Sequence, residues 1–125
     1  MSKTKKKILV VDDDQDVIRA TSLHLTKAGF TVVTAVNGKL ALENVPKESP
    51  DLILLDLGLP DMDGQEVCRR IKADDISKHI PVIVFTARYS TEIFSGKEPM
   101  AIDGYLVKPF EPEELLDIVK TVLSK

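Results

Sequence analysis

The stretch that most constrains this chain is Pro50 to Gly64, P-D-L-I-L-L-D-L-G-L-P-D-M-D-G. Leu52 to Leu55 form an unbroken apolar run that stops abruptly at Asp56. A run this short, followed by turn formers, predicts a strand buried on both faces. Gly58, Pro60, Asp61, Asp63 and Gly64 predict a tight polar loop behind it. Ligands of open parallel α/β sheets bind just beyond the carboxyl ends of the strands, where Asp56 is expected. Taken alone, Asp56 has two readings of equal weight: a cap on a strand or turn, or a functional carboxylate. A second acidic cluster in the same kind of position favours the functional one. Ile8 to Val11 is a fully apolar, β-branched-rich strand that ends in Asp12, Asp13 and Asp14. Three adjacent carboxylates repel one another, and a bound cation offsets that cost.

The remaining elements alternate with these two strands. Gln15 to Ala28 predicts a helix with Ile18, Thr21, Leu25 and Ala28 on one face, stopped by Gly29. Thr31 to Ala35 is the second strand. Asn37 is the expected cap of a helix from Gly38 to about Val45, terminated by Pro46. Gly64 to Ala73 predicts a helix burying Val67, Cys68 and Ile71, with Asp63 and Asp61 as cap and turn former. Val82 to Phe85 is the fourth strand, opened by Pro81 and ending at Thr86 and Ala87. Ser95, Gly96 and Pro99 predict a short or irregular helix within 88–101. Tyr105 to Val107 is the fifth strand, followed by Lys108-Pro109. Glu111 to Leu123 predicts a helix that buries Leu115, Leu116, Val119, Val122 and Leu123.

Five β-α units in 125 residues predict one α/β domain. Its expected core is a five-stranded parallel sheet of order 2-1-3-4-5 with helices on both faces. The domain is expected over 8–125, after a basic, solvated tail at 1–7 that carries Lys3, Lys5, Lys6 and Lys7. With 17 basic and 20 acidic residues, the formal net charge of −3 favours neither nucleic acid nor an anionic membrane. The lone Cys68 excludes an internal disulfide and suits a reducing, cytoplasmic setting. No apolar stretch approaches the ~20 residues a spanning helix needs.

In that topology Asp12, Asp13, Asp56, Thr86 and Lys108 gather at one end of the sheet. Carboxylate and carbonyl oxygens suit a hard cation such as Mg²⁺. Lys108 then has two readings: a simple ion pair, or a partner for an anion that also binds the metal. A phosphoryl group fits the second.

The chain resembles the receiver domains of two-component response regulators, of the chemotaxis-regulator kind, over residues 7 to 124. The resemblance rests on V-V-D-D-D after strand 1, L-L-D-L-G-L-P-D-M-D-G at strand 3, V-F-T-A at strand 4 and Y-L-V-K-P-F at strand 5. Each motif is weak alone, and together, in this order, they are specific. Members of this family are among the proteins from which the strand-order rule is drawn, so the order is not an independent expectation.

The resemblance implies that Asp56 is the phosphoacceptor, attacking the phosphohistidine of a sensor histidine kinase or histidine phosphotransfer protein. It implies direct Mg²⁺ ligation by Asp13, Asp56 and the Gly58 carbonyl, with Asp12 reaching the ion through water and Mn²⁺ able to substitute. It makes Thr86 and Lys108 partners of the phosphoryl oxygens, Tyr105 the switch aromatic, and Lys108-Pro109 a cis peptide. Such a protein catalyses only its own phosphorylation and dephosphorylation. It docks output partners on the face of the fourth helix, fifth strand and fifth helix. Tyr105 also reads as a plain amphipathic residue at the sheet edge. Gly58 lacks a side chain to orient a hydrolytic water, and Arg88 is expected to shield the phosphoryl group.

A haloacid-dehalogenase-like phosphohydrolase is the rival from another class, because Asp12-Asp13-Asp14 satisfies its D-x-D pattern. It leaves Asp56 without a role and the chain without room for a cap. A receiver-like scaffold that is never phosphorylated is a further rival, disfavoured because every expected site residue is present. Cys68 reads as a packed small hydrophobe, and His24 and His79 as surface residues without metal-ligand partners.

Overall fold

The structure is a computed structural model that describes residues 5–86 and 102–125; for Thr86 only the backbone is described. The expectations for Arg88 and for a helix within 88–101 lie outside these residues. The elements run β1 (Lys7–Val11), α1 (Gln15–Lys27), β2 (Thr31–Ala35), α2 (Gly38–Glu48), β3 (Leu52–Leu55), α3 (Gly64–Ala73), β4 (Val82–Thr86), β5 (Gly104–Val107) and α4 (Pro112–Leu123). The strands form one parallel sheet in the order β2-β1-β3-β4-β5, as expected.

Side-chain alternation along the strands divides the core in two. Ile8, Val10, Leu52, Leu54, Ile83 and Phe85 face α1 and α4, where they meet Ile18, Leu25, Leu115 and Val119. Leu9, Val11, Ile53, Leu55 and Val82 face α2 and α3, where they meet Ala41, Val45, Val67, Cys68 and Ile71. Each fully buried aliphatic side chain contributes about 1.5–3 kcal/mol relative to exposure. That burial on both faces explains why Leu52–Leu55 reads as a continuous apolar run and not an alternating one.

Local chemistry sets the helix ends. The Asp14 carboxylate accepts from the amides of Asp16 and Val17, Asn37 from Leu40, and Asp63 from Gln65. The Glu114 carboxylate accepts from the Glu111 amide at 2.9 Å, ahead of Pro112. Gly29, at φ +100°, turns the chain out of α1 in the left-handed region that favours glycine.

Three expectations need correction. α2 does not stop at Pro46 but runs through it to Glu48. In the last turn the proline deprives only the Leu42 carbonyl of an intrahelical donor. Buried Val45 still anchors that turn, and its carbonyl accepts from the Ser49 amide at 3.0 Å. Ala28 is not on the buried face of α1; it is exposed as the C-cap residue. Lys7 is not in the tail but opens β1. Its amide donates to the Asp51 carboxylate at 2.7 Å, and its ammonium pairs with Glu48 at 3.2 Å.

Among the described residues no helix is long and apolar enough to cross a membrane. The loop after β3 returns tightly onto the strand end. A Cβ at Gly64 would lie 2.6 Å from the Asp56 carbonyl oxygen and 2.6 Å from the Leu57 Cα, both backbone atoms. Helix propensity alone favours alanine there by about 1 kcal/mol, whereas overpacking costs about 1–3 kcal/mol. Crowding against backbone is therefore expected to win. Gly64→Ala should lower the urea unfolding midpoint without changing the m-value. A midpoint equal to or above that of the parent protein would contradict this packing.

Candidate functional site

The site follows from strand register. Val11 of β1 pairs with Leu55 of β3, so Asp12 and Asp56 are the next residues on adjoining strands. The Asp56 amide continues the ladder by donating to the Val11 carbonyl at 3.0 Å, and the Asp12 amide to that of Ala35 at 3.1 Å. One carboxylate oxygen from each of Asp12, Asp13 and Asp56 falls within 4.8 Å of the others. Asp12 is 1% and Asp56 7% exposed, while Asp13 is open to solvent. The acidic triplet thus divides: Asp14 leaves the cluster to cap α1, and its amide donates to Asp12 Oδ1 at 2.9 Å.

Lys108 enters from the end of β5. Its Nζ donates to Asp12 Oδ2 and lies 3.8 Å from Asp56 Oδ1. Lys108-Pro109 is a cis peptide, as expected. Among the described residues, Lys108 thus pairs with two of the three clustered carboxylates, Asp12 and Asp56. Burial is the main cause that pushes the Asp56 carboxyl above its ordinary range. Lys108 opposes the shift, Asp12 adds to it, the Gly58 amide opposes it by hydrogen bonding, and Asp13 adds to it.

The remaining expected residues lie at the same end of the sheet. Thr86 is the last residue of β4, paired with Val107 of β5. Tyr105 pairs with Val84 and packs half-buried against the Leu57–Val84 cluster. His24 and His79 are not part of the acidic group. Cys68 is packed in the core, where burial pushes its thiol up.

Asp61 does more than the turn-forming role expected of it. Its carboxylate accepts from the amides of Gly38 at 2.8 Å and Lys39 at 2.9 Å, which hold it below its ordinary range. The loop that follows Asp56 is thereby tied to the first turn of α2. No local pattern marks this contact, because its partners lie 22 and 23 residues away.

Chemically, the carboxylate set fits a hard divalent cation. Its oxygens converge, and Lys108 balances only part of their charge. The D-x-D reading would make Asp12 the nucleophile, yet both its oxygens are engaged, by Lys108 and by the Asp14 amide. Asp56 is the buried carboxylate that faces Lys108 without a short bond to it.

The model of the response regulator receiver domain matches residues 8–120. The chain is 38% identical over 123 residues to the alkaline phosphatase synthesis transcriptional regulatory protein PhoP of Bacillus subtilis, covering 96% of this chain and 49% of that protein. It is 39% identical over 122 residues to the transcriptional regulatory protein PrrA of Mycobacterium tuberculosis, covering 98% and 52%. The chain thus spans about half the length of these curated relatives. Among solved structures, the chemotaxis response regulator CheY4 of Vibrio cholerae superposes with a TM-score of 0.87 at 34% identity, over 95% of this chain and 99% of that one. A CheY-like receiver domain protein of Methanospirillum hungatei gives 0.88 at 31% identity, over 97% and 95%. The sequence motifs, the strand order and these likenesses agree: the chain belongs to the response regulator receiver domain family.

Proposed function

We propose that Asp56 is the phosphoacceptor of this receiver domain. It takes a phosphoryl group from the phosphohistidine of a sensor kinase or histidine phosphotransfer protein in the cytoplasm. The observation that carries the reading is the placement of Asp56. It is a buried carboxylate at a strand end, grouped with Asp12 and Asp13 and 3.8 Å from the Lys108 ammonium. In the reaction an Asp56 carboxylate oxygen attacks phosphorus, the P–N bond breaks, and the imidazole leaves with a proton from solvent. Such transfers ask mainly for positioning and charge neutralisation.

The residues divide that task. Asp13, Asp56 and the Gly58 carbonyl would hold Mg²⁺ directly, with Asp12 acting through water. A bound Mg²⁺ would neutralise carboxylate charge and draw charge from the phosphoryl oxygens. Lys108 exchanges part of its contact with Asp12 for a phosphoryl oxygen. Thr86 donates its hydroxyl to another, and Tyr105 follows Thr86 inward as the switch. The added charge, about 1.5–2 units for a phosphoryl group, is the signal that resets the loops around it. The face built on β5 and α4 would then present the change to an output partner.

Incubation with acetyl phosphate and Mg²⁺ should add one phosphoryl mass to the parent protein and none to Asp56→Asn. An equal gain in the variant would overturn the assignment.

A second outcome follows from the raised Asp56 pKa. Its ordinary value is 3.8 and its folded value is higher. The folded state therefore keeps the proton longer than the unfolded chain. The stability linked to that proton is lost as pH rises from 3.8 through the folded value. Above it, cation binding no longer competes with the proton. Mg²⁺ at tenfold its Kd should stabilise the protein by about 1.4 kcal/mol. The gain in melting temperature at fixed Mg²⁺ should shrink as pH falls through the folded value of Asp56, and Asp13→Asn should lose most of it. A gain in the variant equal to that of the parent protein would contradict the ligand set.

A further inference from the structure

We propose that Phe85 is a positioning residue for Lys108: its ring face holds the ammonium within reach of both Asp12 and Asp56. This rests on the reading of Lys108 as the cation that meets the phosphoryl group. The ammonium nitrogen lies 4.8 Å from the centroid of the Phe85 ring. Its other neighbours are Asp12 Oδ2, in direct contact, and Asp56 Oδ1 at 3.8 Å. The Lys108 side chain is only 17% exposed, so little water is left to solvate the charge. An aromatic face attracts a cation through its quadrupole, and the attraction grows as water is removed.

The ring is itself fixed. Phe85 is fully buried on the side of the sheet that faces α1 and α4. Phe110 meets it at a centroid distance of 6.2 Å and a tilt of 46°. Phe110 stands two residues after Lys108, so one short segment sets the cation over the ring and braces the ring from beside it.

The ring matters most when Lys108 changes partners. In leaving Asp12 for a phosphoryl oxygen on Asp56, the ammonium would otherwise lose a charged partner in a half-dry site. The ring's attraction is broad across its face and imposes no donor–acceptor direction. It keeps hold of the ammonium throughout the move. An aliphatic residue could fill the same core volume but offers no such partner. No sequence pattern signals this role, because Phe85 also suits the buried strand.

The test replaces Phe85 with mono-, di- and trifluorophenylalanine, which keep shape and apolarity while draining charge from the ring face. Phosphorylation by acetyl phosphate should slow stepwise, reaching about a five- to tenfold loss in the trifluoro form. The loss should fall on the maximal rate more than on KM, with the fold intact by circular dichroism and only a small fall in melting temperature. Phe85→Leu should show a similar loss. In the metal-free protein labelled with ¹³C at lysine Cε, one ε-CH₂ signal should lie upfield of the others through the ring current. It should vanish in Lys108→Ala and return to the bulk position in Phe85→Leu. Wild-type rates across the fluorinated series, or no upfield lysine signal, would overturn the proposal. Failure of Asp56 to accept a phosphoryl group would leave the upfield signal in place and would count against the proposed function instead.

Discussion

The structure turns on like charges brought together at the ends of two neighbouring strands. Asp12 and Asp56 meet because Val11 and Leu55 are register partners in a parallel pair, and Asp13 joins them from the next position. Lys108 alone among the described residues bonds this group with a positive charge. Burying carboxylates with incomplete compensation costs free energy, and the upward shift of Asp56 is its signature. The fold tolerates the cost because apolar burial on both sheet faces supplies a larger stabilisation. A group with surplus negative charge suits a hard cation, and the proposed phosphoryl transfer would draw on one.

Geometry at the site is held from several directions. Asp61 ties the loop after Asp56 to the first turn of α2. Gly64 lets α3 begin in contact with the Asp56 and Leu57 backbone. The Asp103 carboxylate accepts from the Val82 amide at 2.8 Å and the Lys72 ammonium at 3.0 Å, which joins the starts of β4 and β5 to α3. Lys72 also donates to the Ile80 carbonyl at 2.8 Å. Register errors of a single residue would scatter the carboxylates to opposite faces, so these ties maintain the chemistry as well as the fold.

Much of this was legible because the strong periodic segments carry one meaning. Leu52–Leu55 could be a buried strand and little else, and Gly64–Ala73 has both its cap and its apolar face in plain view. The acidic strand ends and Lys108 were legible for the same reason, since each stands at a break between an apolar run and a turn. What escaped depends on partners distant in sequence or on small energy differences. Asp14 looks like a third member of the cluster until the helix start claims it as a cap. Pro46 ends a helix in the general case, yet in a final turn it removes only one bond. Lys7 joins β1 through Asp51 and Glu48, more than forty residues away. The capping by Asp61 and the ring under Lys108 are likewise tertiary facts.

The most direct measurement is a crystal structure of the protein with Mg²⁺ and beryllium fluoride, a stable mimic of the aspartyl phosphate. The account predicts the fluoride adduct on an Asp56 oxygen, the ion shared by Asp13, Asp56 and the Gly58 carbonyl, and Lys108 turned from Asp12 toward a fluorine. An adduct on Asp12, or an ion bound away from the three carboxylates, would contradict it.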